Sequence, residues 1–163
     1  MDFITILICS AIAIGTFLSM EGVAWFTHKY VMHGFLWTWH RSHHSVHHHA
    51  LERNDLFAAV FSIPSIVLIV ISTSLFPSAY LFSMGIGILC YGIFYLVFHD
   101  IIVHQRIKWT PRRSRYLQRM MHAHYIHHSK HSKENCEAFG FLYAPKKFEP
   151  KKFVLKKERQ ETQ

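Results

Sequence analysis

The sequence predicts an all-α integral membrane protein whose transmembrane helices extend past the bilayer into a histidine-rich helical cap. Three runs carry no charged residue, at 3–20, 57–76 and 79–98, and each is long enough to cross a hydrocarbon core of about 30 Å as a helix. The 18 Lys and Arg residues all lie at or after Lys29, and none falls between Asn54 and Gln105. The 15 histidines gather beside the ends of these runs, densest in HRSHHSVHHHA at 40–50 and HAHYIHHSKH at 122–131.

The first run, FITILICSAIAIGTFLSM, has no basic leader before it and no obvious A-x-A cleavage site after it, so it reads as a span rather than a cleaved signal peptide. The second, FAAVFSIPSIVLIVISTSLF, contains Pro64, and the third contains the glycines of MGIGILCYG; a membrane helix tolerates both, because neighbouring helices re-satisfy the backbone. Only Pro77 and Ser78 separate the second run from the third, which demands a tight helical hairpin. The expected organisation is one membrane domain over 1–150 with a charged C-terminal tail at 151–163.

Charge asymmetry orients the spans. By the positive-inside rule the segment 28–55 and everything after residue 99 are expected in the cytoplasm, with the N-terminus and the hairpin turn outside. The net charge of +8 comes from stretches beside the spans, RIKWTPRRSRYLQRM and PKKFEPKKFVLKKER, where anionic lipid head groups account for it without nucleic acid. Cys9 and Cys90 lie in spans and Cys136 stands alone, with no C-x-x-C spacing, so neither a cysteine zinc site nor a redox pair is expected.

The histidines repeat a pattern across the hairpin. HKYVMH (His28, His33) precedes HRSHH (His40, His43, His44); HDIIVH (His99, His104) precedes HYIHH (His124, His127, His128). The i, i+3, i+4 spacing places each set of three on one helical face, where several imidazoles can be aimed at one point. The five-residue pairs are different, because on an ideal helix their rings diverge by roughly 140°. Either the helix is distorted there, or the two rings of a pair serve different metal ions.

Neutral imidazole suits iron, zinc, copper and nickel, and ten ligands suit two ions rather than one. His47, His48 and His49 lie outside the repeat, as do His122 and His131, and are expected outside the ligand set. The Glu-x-x-His pairs of carboxylate-bridged bundles and the H-E-x-x-H helix of zinc proteases are both missing from the sequence. The ligands must therefore be almost wholly nitrogen, with Asp100, Glu52 and Asp55 as candidates to orient ligand rings through their other nitrogen.

The order HKYVMH, HRSHH, HDIIVH, HYIHH resembles the membrane-bound fatty acid hydroxylase superfamily, whose di-iron centres are held by histidine. More narrowly, HKYVMHGFLWTWHRSHH, NDLFAAVF, FHDIIVHQR and KENCEAFGFLYAP together resemble its bacterial β-carotene 3-hydroxylases, over about Glu21 to Pro145. The extra HHH at 47–49 departs from the family pattern. The resemblance implies that His28, His33, His40, His43, His44, His99, His104, His124, His127 and His128 hold two iron ions, with dioxygen as co-substrate.

It further implies hydroxylation at C3 of the β-ionone rings of a carotenoid lying in the bilayer: β-carotene through β-cryptoxanthin to zeaxanthin, or canthaxanthin to astaxanthin. No glycine-rich dinucleotide motif is present, so electrons must come from a separate donor, for which the resemblance suggests ferredoxin and its reductase. The implied location is a bacterial inner membrane. Two other readings remain open: the same oxygenase acting on a fatty acyl chain, sphingoid base or sterol, and a histidine-rich metal transporter. A transporter is expected to place ligands at the bilayer midplane, whereas these histidines flank the ends of the runs.

Overall fold

A computed structural model of the chain describes residues 1–45, 51–109 and 114–150. The expected tail at 151–163 and His47, His48 and His49 lie outside the described residues. Among those residues every regular element is helical.

Helix α1, Phe3–Phe26, begins where the Asp2 carboxylate accepts the Thr5 N–H at 2.7 Å. It runs directly into a π-helical segment, Thr27–Phe35, which kinks at Gly34 (φ −101°, ψ −120°). At about 1.5 Å per residue the α-helical part alone reaches roughly 36 Å, beyond the hydrocarbon core. The π-helical segment carries His28 and His33 past the uncharged run. The short helix α2, Trp37–His40, follows.

A 3-10 turn at Arg53–Asp55 leads into α3, Leu56–Val70, which ends in a π-helical turn, Ile71–Leu75. Helix α4, Ala79–Tyr95, starts at Ser78, whose hydroxyl accepts the Leu81 N–H, and likewise opens into a π-helical segment at Leu96–Val103. Helix α5, Arg115–His128, is capped by the Ser114 hydroxyl.

Helix α4 packs between α1 and α3. Small residues permit the approach: a Cβ on Gly87 would stand 2.6 Å from the Ala13 carbonyl oxygen and 2.7 Å from Thr16 Cβ of α1. On the other side, the Ser65 hydroxyl donates to the Gly85 carbonyl at 2.8 Å. Close backbone approach is how membrane helices gain packing energy, since lipid tails remove the usual hydrophobic drive between them.

Outward faces are apolar and exposed, including Ile4, Leu7, Ile14 and Leu18 of α1 and Ile63, Ile66, Val67 and Val70 of α3. Such continuous apolar surface is at home against acyl chains and untenable in water. The chain is an integral membrane protein with three helices long and apolar enough to span.

The apolar core lies at one end of these spans. Ala24, Tyr91, Phe98, Met120, Ala123, Phe141, Ala144 and Phe148 meet there, drawn from α1, α4, the segment after it, α5 and the returning chain. This core forms a floor against which the histidine-bearing elements are fixed.

Candidate metal centre

Two of the three π-helical segments among the described residues, Thr27–Phe35 and the one at Leu96–Val103, carry or border a five-residue histidine pair. In a π-helix the backbone closes i→i+5: the Leu36 N–H donates to the Val31 carbonyl and the His104 N–H to the His99 carbonyl, both at 2.9 Å. The wider turn brings residues five apart onto one face. His28 and His33 therefore stand with ring centroids 5.2 Å apart, and His99 and His104 4.5 Å apart. Of the two expectations for the pair spacing, the structure takes helix distortion; each pair stays together in one group.

The imidazoles form two groups, in each of which one ring nitrogen per residue lies within 4.8 Å of all the others. The first contains His28, His33, His40, His44 and His127; the second contains His43, His99, His104, His124 and His128. The ten residues of the repeated pattern are the ten residues of the two groups. Each HxxHH set, although its spacing puts three rings on one face, divides between the two groups. His40 and His44 enter the first group while His43 enters the second, and His127 parts from His124 and His128 in the same way. The two groups lie side by side, His44 stacking on His128 at 4.5 Å, so one helical face straddles both.

What fixes seven of the ten rings is the outward nitrogen. In the first group Nδ1 donates to a backbone carbonyl for His28 (Phe139, 3.0 Å), His33 (Lys133, 3.3 Å), His44 (Lys130, 2.9 Å) and His127 (Glu137, 2.8 Å). His40 Nδ1 meets the Asn54 side-chain oxygen at 2.7 Å. In the second group His43 Nδ1 meets Glu52 at 3.1 Å and His99 Nδ1 meets Asp100 at 2.8 Å. Asp55 stands one step further out: it accepts the Glu52 N–H at 3.0 Å and an Arg106 N–H at 2.7 Å, while Arg106 also holds Glu52 at 2.5 Å.

These bonds settle where the protons are. A ring whose Nδ1–H donates to an oxygen keeps a bare lone pair on Nε2. Yet Nε2 faces Nε2 at 2.9 Å for His43 and His99, 3.1 Å for His28 and His40, and 3.2 Å for both His33 with His127 and His40 with His44. Two lone pairs at that distance repel, and no proton is available between them to make a hydrogen bond. A cation placed among them turns the repulsion into coordination. Nε2 of His128 is also buried without a hydrogen-bond partner among the described residues, a cost of about 1–3 kcal/mol that a metal ion would offset. The donor set fits a pair of divalent metal ions.

Burial keeps the rings neutral, as metal binding requires. Loss of solvent pushes His40 down to about 3, His44 to about 4 and His127 to about 2, and holds His43 and His124 well below the usual imidazole value of 6.5. Nearby imidazoles add to this wherever they face one another. Beside the second group lies a cavity of about 530 Å³ bordered by His43, His104, Arg106, Tyr125 and His128.

His122 and His131 sit in neither group; their Nδ1 atoms donate to the carbonyls of Phe148 (2.8 Å) and His44 (2.7 Å). Sequence reasoning passed over Asn54, which nothing in ERNDLF distinguishes from its neighbours. It also passed over the carbonyls of Lys130, Lys133, Glu137 and Phe139, since a backbone acceptor leaves no mark in residue identity.

Comparison with known proteins finds relatives over most of the chain. The model of the fatty acid hydroxylase family matches residues 13–144. The chain is 45% identical over 143 residues to a β-carotene hydroxylase of Pseudescherichia vulneris, covering 86% of this chain and 79% of that protein. It is 46% identical over 133 residues to one of Pantoea ananas, covering 80% and 74% respectively. A third, from Paracoccus sp. (strain PC1), is 41% identical over 137 residues, covering 82% and 83%. No solved structure matches the chain.

Proposed function

The chain belongs to the fatty acid hydroxylase family, and from that premise we propose that it is a membrane di-iron oxygenase hydroxylating C3 of the β-ionone rings of carotenoids. β-Carotene would pass through β-cryptoxanthin to zeaxanthin, and canthaxanthin to astaxanthin. The observation that carries the reading is the pair of five-imidazole groups at the ends of the spans, in a chain similar over most of its length to proteins named β-carotene hydroxylase.

His28, His33, His40, His44 and His127 would hold one ion and His43, His99, His104, His124 and His128 the other. Iron bound there supplies activation of dioxygen, which no side chain can perform. In the overall reaction one oxygen atom enters the C–H bond and the other leaves as water, consuming two electrons and two protons. The chain's own part is to position and shield. Glu52 and Asp100 hold His43 and His99 by their Nδ1–H, which raises the basicity of the ligating nitrogen. Met120, Phe98 and Phe141 form the apolar floor beneath the rings.

The two electrons would come from a soluble ferredoxin-type donor with its reductase, reaching ligands at the span ends while the polyene approaches from the bilayer. This requires the histidines and the C-terminus to face the cytoplasm across a bacterial inner membrane. A reporter inserted at Pro77 should then be external and one fused after residue 163 internal; both on one side would sink this orientation.

The deciding experiment supplies membranes containing the protein with β-carotene, reduced donor and labelled dioxygen. Mass spectrometry should find mono- and dihydroxylated product carrying label. Unchanged pigment with an active donor overturns the substrate; product bearing only water-derived oxygen overturns the mechanism.

A further inference from the structure

Glu21 is a carboxylate near the end of an otherwise uncharged span, and the reading above leaves it without a task. Its Oε1 accepts the backbone N–H groups of Phe141 (2.9 Å), Leu142 (2.9 Å) and Tyr143 (3.3 Å), and its Oε2 accepts the Tyr91 hydroxyl at 2.8 Å. Glycine at 140 is required by this contact, because a Cβ there would stand 2.5 Å from Oε1. Successive N–H groups converging on one carboxylate form an anion-binding nest, here filled by the protein itself.

The stretch held in this way has no regular secondary structure between Lys130 and Pro145. It includes Asn135 and Ala138 at positive φ, 59° and 60°, a conformation that costs a non-glycine residue free energy and persists only when the surroundings enforce it. Its carbonyls at Lys133, Glu137 and Phe139 orient His33, His127 and His28. The Phe139 ring also packs edge-on against all three, while Phe141 stacks on His28 at 5.5 Å and touches the second group only by ring contacts, with His99 at 5.6 Å and His124 at 6.1 Å. His28, His33 and His127 all belong to the first group. Glu52 and Asp100, which hold His43 and His99 of the second group, lie on other elements.

We propose that Glu21 is a positioning residue that acts through hydrogen bonds on one of the two metal ions: by clamping the 133–143 segment it sets the carbonyls that aim His28, His33 and His127. The proposal rests on the two-iron reading and adds an asymmetry to it. One ion is held by a carboxylate acting at a distance through backbone, the other by carboxylates acting directly on its ligands.

The test is anaerobic titration of the chelator-stripped full-length protein with ferrous iron in detergent, resolving two binding events. Glu21→Gln, which keeps an oxygen but loses the charge, should weaken one event roughly 10–100-fold, the usual range for a partner of a metal ligand, and leave the other unchanged. Gly140→Ala should act in the same direction. The affected site is identified by combination, since coupled changes fail to add. On a His124→Ala background Glu21→Gln should weaken the remaining event; on a His127→Ala background it should do nothing more. Size-exclusion profiles matching wild type establish that each variant is folded, and Tyr91→Phe, which removes one of four hydrogen bonds to Glu21, gives a milder version should the others fail to fold. Equal weakening of both events, no weakening of either, or loss on the His127→Ala background overturns the proposal while leaving two irons in place. Wild-type protein that binds fewer than two irons overturns the two-iron reading and this proposal together.

Discussion

His43 and His44 are consecutive in the chain and face different metal groups: His43 Nε2 lies 2.9 Å from His99 Nε2, whereas His44 Nε2 lies 3.2 Å from His40 Nε2. The same division separates His127 from His128. Both HH dipeptides therefore stand on the line between the groups, where neighbouring side chains on a tight turn diverge to either side.

It follows that His43→Ala and His44→Ala should deplete different ions. Each variant should retain about one iron per chain by elemental analysis and lose hydroxylation, because either group then lacks one of its imidazoles. The double variant should retain almost none. Identical spectroscopic signatures in the two single variants would contradict the division.

Asn54 is buried and accepts from His40 Nδ1 at 2.7 Å. Asn54→Ala removes that acceptor and leaves a ring nitrogen unpaired. Iron affinity at the first group should fall roughly 10–100-fold, as partners of metal ligands usually show, with the second group unaffected. An unchanged iron titration would mean that packing alone holds His40.

Acidification should destabilise the metal-free protein. Burial holds His44 at about 4, His40 at about 3 and His127 at about 2, below the unfolded value of 6.5. Between about 6.5 and those values the unfolded chain binds protons that the folded chain refuses, so stability is full above 6.5 and declines as pH falls toward 4 and below. The slope approaches about 1.4 kcal/mol per pH unit for each such ring. Thermal melts of chelator-treated protein at pH 7.5, 6 and 5 should show falling midpoints. A flat profile would mean that these rings take up protons in the folded state.

Gly87 lies where α4 touches α1, with no space for a side chain between it and Ala13 or Thr16. Gly87→Leu should force the helices apart and cost about 1–3 kcal/mol or more, as overpacking does. Since α1 and α4 lead into the two histidine-bearing π-helical segments, iron content should fall together at both groups. Wild-type melting and iron content in this variant would show that the contact is dispensable.

The sequence by itself determined the three spans, the all-helical class and the ten imidazoles, because hydropathy and residue spacing are one-dimensional signals. Pro77 and Ser78 left room for nothing but a hairpin, and the repeated HxxxxH and HxxHH marked the ten residues before any distance was known. Glu52 and Asp100 were legible too, as acids close in sequence to the rings they meet. Only the tertiary structure decided how the ten divide. The division depends on π-helical turns that alter which residues share a face, and on α5 meeting the ends of two other helices along the boundary between the groups. The same holds for Asn54, for the carbonyls of Lys133, Glu137 and Phe139, and for Glu21. Those partners lie up to 122 residues away from one another, and a backbone oxygen has no letter in the sequence, so its role exists only once the chain has folded back upon the spans.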